Sequence, residues 1–284
     1  MVWFLFALLS AFSESLKDIF SKKRLAEVDE YSAAWGMRLF AALCLIPVVL
    51  FFGIPSLGNS FWFALLVAGF LNMAAQVLYF KALKSSDISV SVPVLSFTPV
   101  FLIVTSPLIV GESPAIIGIA GIFMIVIGAY VLQLSEANKG LLEPFKALIH
   151  KPGPRMMLGV AFIWSITSNM DKIGIQSSSP FFWAFSISLF IAVGLSFFVF
   201  TRKNSAMRHL KGLFPLGLFN AFSLAFQMLA VSIALVPYVI ALKRTSIISS
   251  VVSGHFVFRE RNVAERLVGA LIMVAGVVLI LLSS

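Results

Sequence analysis

Apolar runs about as long as a membrane-crossing helix alternate with short polar connections along the chain. A helix needs roughly 20 mostly apolar residues to span the hydrocarbon core of a bilayer. Ten segments meet this requirement: 3–21, 31–52, 61–80, 88–109, 115–134, 156–175, 180–200, 213–233, 236–257 and 264–282. The pattern therefore predicts an all-α membrane protein with ten transmembrane helices, in which the polar segment 135–154 is the one long connection.

The composition supports this prediction, since 60% of the 284 residues are hydrophobic and 12% are charged, whereas soluble domains average about 25% charged residues. The single cysteine, Cys44, excludes a disulfide within the chain. The three histidines are scattered and no glycine-rich phosphate loop occurs, so neither a metal site nor an ATP motor is predicted. We expect no cofactor and no enzymatic activity.

The basic residues are concentrated at the connections of one membrane face, which argues for a membrane protein rather than a nucleic-acid-binding one. Sixteen of the 21 Lys and Arg fall there, after predicted spans one, three, five, seven and nine, while connections 53–60, 110–114, 176–179 and 234–235 have none. By the positive-inside rule the basic face is cytoplasmic. We therefore expect a multi-pass protein of the plasma (inner) membrane with both termini outside.

The two halves of the chain resemble each other. The sequence Gly-Phe-Leu-Asn at 69–72 recurs as Gly-Leu-Phe-Asn at 217–220, and the same shift carries Glu112 onto Glu260. This repetition predicts five-helix units at 1–134 and 155–284, joined by a cytoplasmic linker at 135–154. Because five is an odd number, the second unit must enter the membrane inverted. Inverted repeats are typical of secondary transporters, whose substrate site lies between the halves near the midplane.

Several tracts resemble the EamA family of the drug/metabolite transporter superfamily, and the resemblance extends over essentially the whole chain. They are Arg38–Ala42, Ala82–Pro93, Gly111–Gly128, Ala241–Ser246 and Arg259–Gly276. The resemblance implies metabolite transport, often efflux, through a central cavity. Many members of the family are thought to keep both termini in the cytoplasm, whereas the charge distribution of this chain predicts the opposite.

Eight charged residues lie within the predicted spans, where each is costly unless it faces a shared interior. The cations are Lys17, Arg38, Lys172, Lys243 and Arg244, and the acids are Glu14, Asp18 and Asp171. We predict that Lys243 and Arg244 bind a carboxylate or phosphate, with Arg244 favoured because its planar fork matches two acceptor oxygens. In the related sugar-phosphate translocators, the resemblance implies a phosphate-binding role for such a pair. The alternative is that the pair neutralises Glu14 or Asp171, or extends to the interface.

The acids have two interpretations each. Glu14 is a candidate for proton coupling, because buried carboxylates can carry protons, and equally a candidate for a fixed counter-ion. Asp171 is the second proton-coupling candidate. With Lys172 it forms a gate ion pair, or else both residues are solvated at the interface, and interfacial solvation is favoured. An interfacial position is likewise favoured for Lys17 and Asp18.

Uncharged residues complete the predicted site. Gln76 and Asn169 are candidate polar contacts, and Trp164 and Tyr238 are candidate cavity walls. Interhelical hydrogen bonds and packing are the alternative roles, and the duplicated Asn72 and Asn220 are interpreted as scaffold. The hinge candidates, or else fixed bends, are Pro93, Pro99 and Pro237.

We predict a secondary active transporter that moves a small metabolite, such as an amino acid, organic acid or similar anion or zwitterion, by alternating access. The excess of intramembrane cations favours such a solute, and efflux follows from the family resemblance. Alternatives are an exporter of organic cations that uses Glu14, a sugar-phosphate-type anion exchanger and a non-transporting membrane scaffold. Expected partners are the small-molecule substrate, the lipid bilayer and a proton or counter-substrate, in a monomer or homodimer that binds no nucleic acid.

Overall fold

The structure, a computed structural model, describes residues 2–25, 27–85, 91–137, 151–201, 210–248 and 263–284. Side chains at 22, 132–137 and 263–267 are not described. Most of the predicted linker and the second part of the predicted ninth span, residues 249–257, lie outside the described residues. The structural statements below concern the described ranges.

These ranges are built from helices, with no strand among them. Ten α-helices follow one another: α1 Val2–Arg24, α2 Glu30–Phe52, α3 Phe61–Ser85, α4 Thr98–Ile109, α5 Ile116–Ala137, α6 Pro152–Gln176, α7 Pro180–Thr201, α8 Leu210–Ile233, α9 Val236–Lys243 and α10 Val263–Ser283. A 3₁₀ helix, Val92–Phe97, leads directly into α4. Each predicted span overlaps one of these helices, as its apolar length requires.

Five helical stretches in the described part of the chain are long and apolar enough to cross a membrane. They are α2, α3, the 3₁₀–α4 stretch Val92–Ile109, α7 and α8. Helices α1 and α6 are equally long but contain the buried charged residues discussed below. The all-helical prediction is therefore confirmed, and the membrane character is carried by the apolar helices.

The helices pack in pairs. If each helix is replaced by its counterpart in the other half of the chain, whose number differs by five, each of the following pairs becomes another of them or itself. Helix α1 packs against α8, and its counterpart α6 packs against α3. Helix α2 packs against its own counterpart α7, and α5 packs against α10. The α5–α10 contact is close, since a side chain at Gly121 would collide with the carbonyl oxygen of Gly276. This packing fits a two-repeat architecture, and the inversion of the second repeat stays a prediction.

Two of the predicted spans are interrupted at the interior of the protein. Pro93 lies in the 3₁₀ helix, and Pro99 occupies the first turn of α4, where the missing proline N–H costs no hydrogen bond. Pro237 occupies the first turn of α9 in the same way. Helix α9 ends after only eight residues, at Lys243, and the chain turns at Arg244. The prolines lie where the helices begin or change type, as expected of local breaks. The end of α9 at Lys243 was not predicted. A hinge motion stays a prediction.

Candidate functional site: a cavity lined by charged residues

A cavity of about 70 Å³ lies between α1, α2, α3, α6, α7, α8 and α9. Since one water needs roughly 10–15 Å³ of such space, the cavity has room for a few waters or a small solute. Six charged residues line it: Glu14, Lys17, Arg38, Asp171, Lys243 and Arg244. The remaining walls are Asn72, Gln76, Trp164, Thr167, Ser168, Ile187, Asn220, Ser223, Leu224, Gln227 and Ile240.

Glu14 joins two lysines from different helices. Its Oε1 lies 2.6 Å from Lys17 Nζ, and its Oε2 lies 3.2 Å from Lys243 Nζ. Ser223 Oγ donates a further hydrogen bond of 2.8 Å to Oε2. Lys243 also donates to Gln227 Oε1 at 2.6 Å. The geometry is that of a counter-ion shared by two ammonium groups. This was one of the two interpretations of Glu14. It also matches the alternative given for Lys243, in which the lysine neutralises Glu14.

Lys17 and Asp18 are buried rather than interfacial, so the expectation favoured for them is wrong. Both are less than 10% exposed, and Lys17 Nζ lies 3.2 Å from Asp18 Oδ1. Tyr79 Oη donates a 2.7 Å hydrogen bond to the same oxygen. These partners compensate the loss of water around the two charges, which is why the pair can lie inside the bundle.

Arg38 has no counter-ion in direct contact among the described residues, although the charges of Asp171 and Glu14 act on it from farther away. It is 6% exposed, and its Nε and Nη1 have no hydrogen-bond partner. No ion pair within 4.0 Å involves it in the described ranges. A buried guanidinium without partners is unfavourable by several kcal/mol (roughly 3–5). Arg38 lines the cavity, where the charge of an anionic ligand would compensate its own.

Arg244 is the second arginine of the cavity wall. Its Nη2 donates a 3.0 Å hydrogen bond to Thr98 Oγ1, and its guanidinium lies 5.5 Å from the centre of the Trp164 ring. The Nε of Arg244 has no partner, and no ion pair holds this residue among the described residues. Trp164 contacts Tyr79 in turn, with ring centres 5.6 Å apart and ring planes tilted by 35°. The aromatic wall therefore orients Arg244 by a cation–π contact.

The unpartnered polar atoms on the described cavity wall are mostly donors. Besides the two arginines, Asn220 Nδ2 lacks an acceptor, while Gln76 Oε1 lacks a donor. Because buried donors are costly when unsatisfied, the wall is complementary to a ligand rich in acceptor oxygens. Carboxylates and phosphates are such ligands.

Asp171 lines the cavity, whereas its neighbour Lys172 does not. Trp183 Nε1 donates to Asp171 Oδ1 at 2.8 Å. The two residues were predicted to be a gate or interfacial pair, but Lys172 forms its ion pair with Glu112, at 3.1 Å, instead of with Asp171. Both are buried, so the interfacial solvation that was favoured for them is not what the structure has.

Lys172 and Glu112 connect three elements, and we call this cluster the latch. Lys172 Nζ donates to the carbonyl oxygens of Val231 and Ala234 at 2.7 and 3.0 Å. Glu112 Oε2 accepts a 2.7 Å hydrogen bond from Val236 N. The latch therefore ties the α4–α5 connection to α6 and to the α8–α9 turn, on the face whose connections contain no basic residues.

Two predicted site residues lie outside the cavity wall. Tyr238 is 1% exposed, and its Oη accepts a hydrogen bond from Ala115 N and another from Ser283 Oγ. Asn169 is fully buried, where its side chain bonds to Ser106, Thr105 and the Ser165 carbonyl. Both therefore stabilise helix packing, because their polar atoms are already satisfied between neighbouring helices. The structure does place Gln76 and Trp164 on the wall, as predicted.

Ser223 is a cavity residue that the sequence analysis missed, and Asn220, interpreted as scaffold, and Gln227 line the cavity as well. The three lie on one face of α8, at spacings of three and four residues, and all line the cavity. This spacing is that of a polar helix stripe. A search for polar stripes within each apolar span would have found them.

Comparisons with known proteins address the family and the fold. The sequence model of the EamA-like transporter family matches residues 1–134 and 151–282. A crystal structure described only as that of a protein has a TM-score of 0.75 and 16% sequence identity, covering 99% of this chain and 97% of that chain. At this identity the likeness shows a shared fold alone. No protein of the curated set matches.

Proposed function

The chain belongs to the EamA-like transporter family and is a multi-pass membrane protein, and from this premise we propose a secondary active transporter. Its cavity binds a small metabolite that carries a carboxylate, as an anion or zwitterion, and moves it by alternating access. The solute is drawn from the organic acids and amino acids, whose smaller members fit the cavity. The observation that carries this proposal is the unpaired guanidinium of Arg38 on the cavity wall.

Arg38 fits a carboxylate by geometry as well as by charge. A guanidinium presents N–H donors in a planar fork that matches two carboxylate oxygens, and the Nε and Nη1 of Arg38 are two of these donors. Both are free in the described structure. Arg244 and Asn220, which line the same cavity, each have one more donor without a partner among the described residues. A bound carboxylate therefore replaces the missing counter-ion.

Alternating access is supported by the helix pairing and by the interrupted spans. In secondary transporters, inverted repeats exchange two packings around a fixed site, and discontinuous helices surround that site. In this chain, the contact of α1 with α8 and the contact of α6 with α3 are counterparts of each other in the two repeats. We assign the hinges to Pro93, Pro99 and Pro237, and we interpret the latch as the closure of the face away from the basic connections.

The membrane setting follows from charge and family. The basic connections face the cytoplasm and the termini face outward, in the plasma membrane. Efflux follows the habit of the family, and a proton or a counter-substrate supplies the driving force. The transporter acts as a monomer or a homodimer.

Substitution of Arg38 tests the proposal. Binding of lactate, alanine, malonate, 3-phosphoglycerate and tetraethylammonium to the purified protein is measured by calorimetry and thermal shift. A charge-assisted hydrogen bond contributes about 1.5–3 kcal/mol, so we expect Arg38→Gln to weaken carboxylate binding by at least about tenfold. The matched control is Arg24→Gln, which breaks a half-exposed pair with Glu27 and leaves binding unchanged.

Other outcomes reject the proposal or change the solute. Stabilisation by tetraethylammonium alone indicates a cation exporter and rejects the carboxylate site. Tightest binding of 3-phosphoglycerate transfers the assignment to an organic-phosphate exchanger. A cysteine at Ser168, on the cavity wall, should react with water-soluble thiol reagents in a Cys44→Ser background. If Ser168→Cys stays unreactive, the cavity is dry and the protein is a scaffold.

A further inference from the structure

Among the described residues, the charges that surround the cavity do not cancel. The four cations are Lys17, Arg38, Lys243 and Arg244, and all of them line the wall. The facing carboxylates are Glu14 and Asp171, and Asp18 stands behind Lys17 at 3.2 Å. Four cations against three carboxylates leave one positive charge in the cluster. Lys172 and Glu112 neutralise each other in the latch.

We propose that Glu14 sets the net charge of the transported solute at one negative charge. This inference rests on the proposed function and narrows it to monoanions. Glu14 is thereby a specificity-determining residue that acts on the solute through charge balance, rather than a group that binds an organic cation.

The contacts of Glu14 support this role. One oxygen faces Lys17 and the other faces Lys243 and Ser223, with distances of 2.6, 3.2 and 2.8 Å. Both oxygens are thus engaged by groups of the protein itself. A single carboxylate cannot neutralise two lysines, and Asp18 supplies the second negative charge from behind. Removal of the Glu14 charge would leave two uncompensated positive charges around the cavity.

Charge balance dominates here because the cluster is buried. Every one of the seven groups is at most 9% exposed, so water screens them weakly. At an effective dielectric of about 20, a unit charge several ångströms away changes the affinity for an ion by at least about tenfold. One charge more or less in the cluster should therefore change which solute charge is preferred, without any change in cavity shape.

A charge series tests the inference with three solutes of three carbons each. Near neutral pH alanine has net charge zero, lactate one negative charge and malonate two. Four proteins are compared. The net charge of the cluster is one positive charge in wild type, zero in Lys243→Gln, two positive charges in Glu14→Gln and again one positive charge in the double variant. Relative affinities are measured by calorimetry on the purified full chain. Ser10→Ala is the uncharged control, since it removes a buried hydrogen bond to the Ser223 carbonyl.

We expect wild type to prefer lactate, and Glu14→Gln to raise the malonate-to-lactate affinity ratio by at least about tenfold. Lys243→Gln should favour alanine over lactate. The double variant should return to lactate, which it would not do if Lys243 merely bound the anion directly. Ser10→Ala should keep the wild-type order. If Glu14→Gln fails to fold, Lys243→Gln and the double variant still test whether the net charge of the cluster sets the preferred solute charge.

The outcomes separate the inference from the proposed function. If wild type binds none of the three solutes, the carboxylate site is absent and both fall. If wild type binds lactate, but the order of preference is the same in every variant, the proposed function stands and the role of Glu14 is refuted. Preference of wild type for malonate or alanine over lactate also refutes it.

Discussion

The latch offers a direct test of alternating access, because one substitution should open one face of the protein. Glu112→Gln keeps the size of the side chain and an amide oxygen that can accept from Val236 N. It removes the charge that faces Lys172 Nζ at 3.1 Å. Lys172 retains its two carbonyl acceptors on Val231 and Ala234. The closed face is therefore weakened without the loss of its whole hydrogen-bond network.

The magnitude follows from the burial of the pair. The two side chains are 11% and 13% exposed, so the pair is neither a surface contact of about 0–1 kcal/mol nor a fully dry one, whose disruption costs about 3–5 kcal/mol. Since two of the three acceptors of Lys172 remain, we expect a loss near 2 kcal/mol for the closed state. This is a change of about thirtyfold in the ratio of open to closed molecules.

The assay is the rate at which a membrane-impermeant thiol reagent labels a cysteine at Ser168, in the Cys44→Ser background. The reagent is added from the side of the connections 53–60 and 110–114. We expect Glu112→Gln to raise the labelling rate by about ten- to thirtyfold. The matched control is Lys84→Gln, which removes a more exposed ion pair with Glu30 and should leave the rate unchanged. An unchanged rate in folded Glu112→Gln protein would show that the latch does not close the cavity.

Two further predictions concern stability. Gly121→Ala should lower the melting temperature, because the new Cβ would collide with the Gly276 carbonyl. The control Gly159→Ala has no neighbouring atoms within 4 Å and should preserve or raise the melting temperature through helix propensity. Equal effects of the two substitutions would contradict the close α5–α10 contact. Tyr79→Phe should cost about 1–3 kcal/mol in the free energy of unfolding, since it removes the 2.7 Å hydrogen bond to buried Asp18; a loss below about 0.5 kcal/mol in chemical denaturation would refute this account.

The order and extent of the helices were predictable because a bilayer fixes the length of an apolar span. For example, the predicted segments 61–80 and 213–233 lie within α3 and α8. The early end of α9 at Lys243 was not predictable, since the apolar run continues past it. The hydrophobic pattern sets the length of a span, but the place where a helix breaks depends on which groups can satisfy the freed backbone inside the protein.

The pairing of the charges was the second feature beyond the reach of the sequence. Lys243 and Arg244 stood out as adjacent cations, yet Glu14 neutralises Lys243, and neither Arg38 nor Arg244 has an ion pair within the part of the chain that the structure describes. Glu14 and Lys243 are on α1 and α9, so their 3.2 Å approach depends on how distant helices pack. Tyr238 was assigned to the wall for a similar reason: its nearness to the cations in sequence did not reveal that its hydroxyl is held by Ala115 and Ser283.

The repeated halves provide an internal comparison that separates scaffold from function. Arg38 of α2 corresponds to Ser188 of α7 when Leu39-Phe40 is aligned with Leu189-Phe190. Arg244 corresponds to Ser96 by the shift that relates 69–72 to 217–220. Both serines are buried, and neither hydroxyl has a hydrogen-bond partner. The same packing thus accepts a small neutral side chain at each of these positions. Since buried guanidinium groups without a counter-ion in contact reduce stability, we propose that the acceptor oxygens of a solute account for the two arginines.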